Sequence, residues 1–129
     1  MTATYSVIAD PAHDLIRITL AGFFDDASMA GFAAARAAAH AMLRCGPNRH
    51  LTLADTRAIA IQSQEFVARW GAVLADPLYR SRKLAFVTAS SLARMQLQRA
   101  IGGRDSVACF MDMAQAEAWL LAATASAAA

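Results

Sequence analysis

Cysteine, proline, glycine and charge are all scarce in this chain. Its 129 residues include two cysteines, three prolines and six glycines, and 17% are charged. Cys45 and Cys109 form no CxxC pair and stand in no cysteine–histidine cluster. This excludes a disulfide scaffold and fits two reduced thiols in a cytoplasmic protein. His13, His40 and His50 are scattered over a turn, a helix face and a strand start, with no spacing that serves zinc or iron. No GxGxxG or Walker pattern occurs, and Gly102-Gly103 is a lone pair at a helix end. No apolar run reaches the ~18–20 residues of a membrane span. Met1 to Asp10 has neither the basic region nor the apolar stretch of a signal peptide. The expectations are therefore no cofactor, no metal, no catalytic constellation and no integral membrane association.

The net charge of +2 is too small to imply a polyanion partner. Arg80, Arg82, Lys83, Arg94, Arg99 and Arg104 do fall between Asp76 and Asp105 with no acid among them. They read as a solvated helix face and two strand ends, because the aromatic interleaving of a nucleic-acid binder is missing. No nucleic acid is expected. An anionic partner is the competing reading of the same run.

What the chain has in quantity is apolar residues, 57% of the total, many of them alanine. One ordered domain is implied, burying roughly two-thirds of its unfolded surface. The clearest unit is the last. Ser106 to Phe110 is a short apolar run, Asp112 stands at an N-cap position with Gln115 three residues on, and Met113, Ala116, Trp119 and Leu120 share one helical face. Upstream, Thr4 to Ala9 and the alternating Leu15 to Ala21 flank the turn cluster Pro11 to Asp14, an antiparallel hairpin. A helix of about 18 residues follows, capped by Asp25, Asp26 or Ser28 and closed by Gly46-Pro47. Phe32, Ala35, Ala39 and Met42 form its core stripe, and Arg36, His40 and Arg44 its solvated face.

Leu51 to Ala54 is the next strand and Thr56 to Gln62 a loop. Ser63 caps a second helix that Asp76-Pro77 stops. Lys83 to Ala89 is a buried strand, and Ser90 or Ser91 caps a third helix. The order is ββαβαβαβα. Such alternation gives a single α/β domain with a mostly parallel sheet, an N-terminal antiparallel hairpin and helices on both faces. The domain spans residues 1–121; the alanine-rich 122–129 is expected to be a frayed or disordered tail.

No motif commits the chain to a chemistry. Asp25-Asp26 reads as a cap rather than an acid–base pair, and Cys45 with His50 as loop polarity rather than a nucleophile. In open parallel sheets, ligands sit beyond the carboxyl ends of the strands. Thr56, Arg57, Ser90 and Ser91 fall there and are the candidates for holding a small anion. Thr56 to Ser63, with Gln62, mixes polar groups with Ile59 and Ile61, as a recognition surface does. In the third helix, Leu92, Met95 and Arg99 lie opposite the apolar face of Ala93, Leu97, Ala100 and Ile101, and are the candidate protein interface, in a homodimer or with another chain.

The pattern resembles the STAS and SpoIIAA-like domains, the anti-sigma-factor antagonist fold, which includes stand-alone bacterial domains of STAS/SEC14 type. Three segments carry the resemblance: Ile18 to Asp26, a strand ending in glycine before an acidic helix start; Leu51 to Asp55, a strand ending at an aspartate; and Phe110 to Asp112 followed by Ala116-Glu117-Ala118-Trp119-Leu120. It implies a non-enzymatic regulatory module that binds a partner protein. It also implies a phosphorylatable serine at the start of the second long helix, which corresponds to Ser63. Where the family has an aspartate before that serine and a glycine soon after, this chain has Gln62 and Glu65. The STAS/SEC14 likeness implies, as an alternative, a small anionic or lipid-like ligand at the strand tips.

Overall fold

The computed structural model describes residues 3–60, 64–74, 76–101 and 105–128. In chain order the elements are β1 (Thr4–Asp10), β2 (Leu15–Gly22), α1 (Asp26–His40), β3 (Leu51–Ile59), α2 (Gln64–Leu74), β4 (Lys83–Val87), α3 (Ser91–Ile101), β5 (Val107–Phe110) and α4 (Met113–Ala128). The strands form one five-stranded sheet in the order β1-β2-β3-β4-β5. β1 pairs antiparallel with β2, and every later pair is parallel. The hairpin register sets Val7 against Ile18, and Asp14 closes its turn at φ 50°, a left-handed conformation that aspartate tolerates.

The strand order decides where the helices go. Each β–α–β crossover moves one strand further in the same direction, so right-handed connections place α1, α2 and α3 on one face. The two cores confirm this. On the first face Ile16, Ile18, Leu20, Ala54, Leu84 and Phe86 pack under Met29, Phe32 and Ala39 of α1 and Trp70 of α2. Trp70 meets Phe24 and Phe32 edge-on, both at 5.4 Å between ring centroids. On the other face Leu15, Leu51, Leu53, Ala85 and Val87 pack under Ala116 and Leu120 of α4. β3 and β4 are covered on both sides, which is why they read as continuous apolar runs.

Of the cap candidates Asp25, Asp26 and Ser28 on α1, Asp25 takes the position. Asp25 Oδ1 accepts from Ser28 N at 2.8 Å, and Ser28 Oγ accepts from Asp25 N at 2.8 Å, a reciprocal capping box on α1. Asp112 Oδ1 accepts from Gln115 N at 2.9 Å at the start of α4. That helix continues to Ala128, so residues 122–128 are helical. Trp119 is half-buried, tilted against Phe110 with Lys83 Nζ 4.5 Å over its ring.

β4 ends at Val87, two residues short of Ala89, and two boundaries differ by more from the sequence reading. α1 stops at His40, well short of Gly46-Pro47. Beyond it the turn tightens, Met42 N donating to Ala39 O and Leu43 N to His40 O. This turns Leu43 onto the core and leaves Met42, expected in the core stripe, 65% exposed. β3 instead runs on past Ala54 to Ile59, so Thr56 and Arg57 are strand residues and not a loop. The extension pairs Ala58 with Ala21 and Ile59 with Gly22, after a register shift beyond Thr19. Ala60 N then donates to the carbonyl of Gly22, which holds φ 80°, open to glycine at little cost.

Candidate functional site

The expected site residues are distributed by the strand alternation. Leu51 and Leu53 face α4, so Asp55 and Arg57 continue that row while Thr56 points the other way, towards the helices α1 to α3. Thr56 is buried and its hydroxyl donates to the Val87 carbonyl at 2.8 Å, tying β3 to β4 from within. Arg57 is exposed and held in a two-pronged pair with Asp55, both contacts 2.9 Å. That hydrogen bonding is the main reason the Asp55 carboxyl lies below its usual range. Ser90 caps α3, its Oγ accepting from Ala93 N at 3.2 Å, and Ser91 begins the helix on the surface. The structure therefore does not gather Thr56, Arg57, Ser90 and Ser91 into one anion cradle. Gln62 and Ser63 lie outside the described residues. Leu92, Met95 and Arg99 are all exposed on α3.

A second constellation was missed by sequence reading. Arg36 and His40, expected on the solvated face of α1, are instead turned inward under the 76–82 segment. Arg36 is 9% exposed. Its Nη1 donates to the Val73 carbonyl at 3.1 Å, its guanidinium lies 4.4 Å from the Tyr79 ring centroid, and Asp76 stands 3.8 Å away. Its Nε is buried with no hydrogen-bond partner. Burial pulls the Arg36 pKa down and Asp76 opposes it; an arginine stays charged throughout.

His40 meets His50 edge to face and also the Tyr79 ring, at 4.9 Å between centroids. Burial, then His50 and Arg36, push the His40 pKa down to about 4. Burial also lowers that of His50, whose Nε2 has no partner. Both imidazoles are neutral at pH 7. Cys45 is not activated by its surroundings: burial and Asp14 raise its pKa, which keeps the thiol protonated.

This polar group forms one end of a cavity of about 90 Å³ between the sheet and α1 to α3. Arg36, His40, Thr52, Tyr79 and Ser81 line that end; Ile18, Leu20, Phe32, Trp70, Leu84 and Phe86 line its body. The Thr52 and Ser81 hydroxyls share a 2.7 Å hydrogen bond. The cavity lies against the sheet face and not beyond the strand tips. The reason is topological: a sheet wound in one direction has no point where the strand order reverses, so it lacks the crevice that other open sheets use.

No family model and no curated protein matches this chain in sequence. Two solved structures match in shape. A protein of the DUF3478 family from Shewanella loihica PV-4, described as having a SpoIIAA-like fold, superposes with a TM-score of 0.71 at 12% identity, over 93% of this chain and 96% of that one. The fold is SpoIIAA-like. An anti-sigma factor antagonist from Mycobacterium paratuberculosis superposes on this SpoIIAA-like chain with a TM-score of 0.58, also at 12% identity, over 92% of this chain and 94% of its own. Among the described residues, no helix is long and apolar enough to cross a membrane.

Proposed function

We propose that this SpoIIAA-like domain is a non-enzymatic regulatory module of the cytoplasm that binds a partner protein at the carboxyl end of its sheet. One observation carries the reading. Phe23 after β2, Leu92 at the start of α3 and Met111 after β5 stand at that end, 48%, 52% and 54% exposed. Large apolar groups gathered on one rim suit protein contact. Likeness in fold to an anti-sigma factor antagonist supports the same role. Arg57, Ser90 and Ser91 supply polar groups on this rim and Thr56 braces it from inside; Gln62 and Ser63, outside the described residues, are proposed as part of the same binding surface.

The test is affinity capture with the intact protein beside Leu92→Asp and Met111→Asp variants. A partner retained by the wild type and released by both variants supports the rim. A partner held equally by all three places the contact elsewhere. The Ser63→Asp protein separates cap from switch. An acidic cap keeps α2 folded, so loss of partner binding by a stable Ser63→Asp protein marks a phosphoswitch, whereas intact binding leaves Ser63 as a cap.

A second reading has its own observation, the apolar cavity with its Arg36 end. A small ligand with an anionic head and an apolar body is complementary to that lining. Native mass spectrometry of untagged protein checks it: a retained mass that disappears in an Arg36→Met protein supports a ligand, and an empty wild type removes it.

A further inference from the structure

Opposite the proposed partner rim, at the amino end of the parallel strands, two segments form a single platform: residues 41–50 and 76–82. They are tied together by Asn48, whose Nδ2 donates to Pro77 O at 2.7 Å and Arg80 O at 2.9 Å. Arg82 N donates to His50 O at 2.8 Å, and Arg82 Nε reaches Arg49 O at 3.4 Å. The two segments carry four arginines, Arg44, Arg49, Arg80 and Arg82, against a single acid, Asp76. Asp76 is already engaged, by Arg36 and by the backbone N–H of Leu78. Asp14, beside Cys45 and Arg49, is the one further carboxylate lining the shallow recess there. None of the four arginines has an ion pair among the described residues, and Arg44, Arg49 and Arg80 are exposed. The whole chain carries only +2, so its positive excess is concentrated on this platform.

The same platform holds the two most exposed large apolar side chains of the described residues, Met42 at 65% and Leu78 at 69%. Neither has a core to reach. The geometry points to a docking surface for an anionic lipid bilayer, with the arginines at the phosphate level and Met42 and Leu78 dipping into the acyl boundary. The combination selects the occupant. A single-stranded nucleic acid asks for basic groups with aromatic platforms for stacking and a duplex backbone for charge alone; neither uses the exposed aliphatic Met42 and Leu78. A protein partner asks for an apolar centre ringed by polar groups, whereas Met42 and Leu78 stand singly on two separate segments that carry four arginines. A bilayer takes both terms at once: each basic residue near an anionic surface adds attraction, and apolar side chains add burial. Peripheral attachment needs no spanning helix, and it leaves the opposite end of the sheet free for a protein.

Vesicle co-sedimentation of the intact protein tests this, with phosphatidylcholine alone and with a phosphatidylcholine–phosphatidylglycerol mixture. Binding to the anionic vesicles only, weakening with salt, is expected. An Arg49→Glu/Arg80→Glu protein should partition at least about tenfold less, since each basic residue is worth about a factor of five at such a surface. Leu78→Ser, at unchanged net charge, should also lower binding several-fold. Thermal melts establish that each variant is folded, and Arg44→Glu, at an exposed position outside helix, strand and turn, serves if the double variant is not. Folded wild type that stays in solution with anionic vesicles at low salt overturns the proposal. So does a folded Arg variant that binds like wild type. A Leu78→Ser protein bound as tightly as wild type, with heparin competing for both, means a patch that reads charge alone and also overturns it.

Discussion

The imidazole rings of His40 and His50 meet edge to face with centroids 4.3 Å apart, although ten positions separate them in the chain. One closes α1 and the other opens the path into β3, so only the β2–α1–β3 crossover brings them together. Protonating His40 would place a cation beside His50 and near Arg36.

Stability should therefore fall as acid reaches this pair. Both histidines have folded-state pKa values below the ordinary 6.5, His40 at about 4. A group whose pKa is lower in the folded state binds protons more readily when unfolded. Its stabilising effect is present above pH 6.5 and is lost as the pH falls towards 4. For the partly buried His40 the loss is about 2 kcal/mol after allowance for solvent screening. The carboxylates held low in the fold, Asp10, Asp25 and Asp55, start below the ordinary 3.8 and so lose their contribution only at still lower pH. Urea melts at pH 7 and pH 4.5 should differ in wild type and differ less in a His40→Gln protein. Equal slopes in the two proteins would show that His40 is not the titrating group.

The two tryptophans should respond differently to truncation. Trp70 is 9% exposed between Phe24 and Phe32, so Trp70→Ala should cost about 3–5 kcal/mol. Trp119 looks equally central in the sequence but is half-buried, and Trp119→Ala should cost about 1.5–3 kcal/mol, short of a full core deletion. Denaturant midpoints at constant m-value rank them, and a costlier Trp119 would mean that α4 packs more tightly than the fold shows.

This contrast also shows what the chain discloses before it folds. Strand identity was legible because β2, β3 and β4 carry uninterrupted or alternating apolar runs, and the cap at Asp112 was legible because capping is local, whereas Asp25, Asp26 and Ser28 were equal candidates until the capping box of Asp25 with Ser28 chose among them. The end of β3 was not, because Asp55, Thr56 and Arg57 look like a loop. They pass for one only when Asp55 and Arg57 are not seen to pair with each other while Thr56 points inward. The polar cavity end was hidden for a related reason. Arg36, His40 and Arg44 follow one another at helical spacing, which reads as a solvated stripe. The stripe is cut by the 76–82 segment folding over its first two members, in contacts such as Arg36 with Asp76 and His40 with Tyr79 that lie far apart in sequence. Leu92 and Met95 needed no tertiary knowledge: placed opposite the apolar stripe of their own helix, they had nowhere inside to go.

Tyr5 and Gly31 form a pair that can be separated by a double-mutant cycle. A Cβ on Gly31 would collide with the Tyr5 hydroxyl, whose ring lies edge-on to Phe32 of α1. Alanine in place of a mid-helix glycine gains about 1 kcal/mol of helix propensity. In the wild type this gain should be cancelled, because the Tyr5 ring must leave Phe32. In a Tyr5→Ala background it should appear in full. Additive effects of the two substitutions would mean that the ring swings aside at no cost.

The last prediction concerns the outer stripe of α3. Leu92, Met95 and Arg99 are spaced i, i+3 and i+7, so they form one row along the helix. Leu92 and Met95 are about half exposed, at 52% and 51%. Two aliphatic groups and one arginine make a small contact, well under the ~1,000 Å² of total burial that a stable interface needs. Any homodimer through this row should therefore be weak and concentration-dependent, with the folded monomer as the species at low concentration. Met95→Asp should not disturb the monomer, since a surface substitution of this kind changes stability by about 0.5 kcal/mol or less. It should nevertheless shift the association to at least tenfold higher concentration, because the carboxylate would be buried unpaired in the contact. Sedimentation velocity across a concentration series reads both quantities. A wild-type chain that sediments as a monomer throughout would leave the row to a different protein partner, and capture by the Met95→Asp protein would then show whether that partner uses α3 as well as the Phe23–Met111 rim.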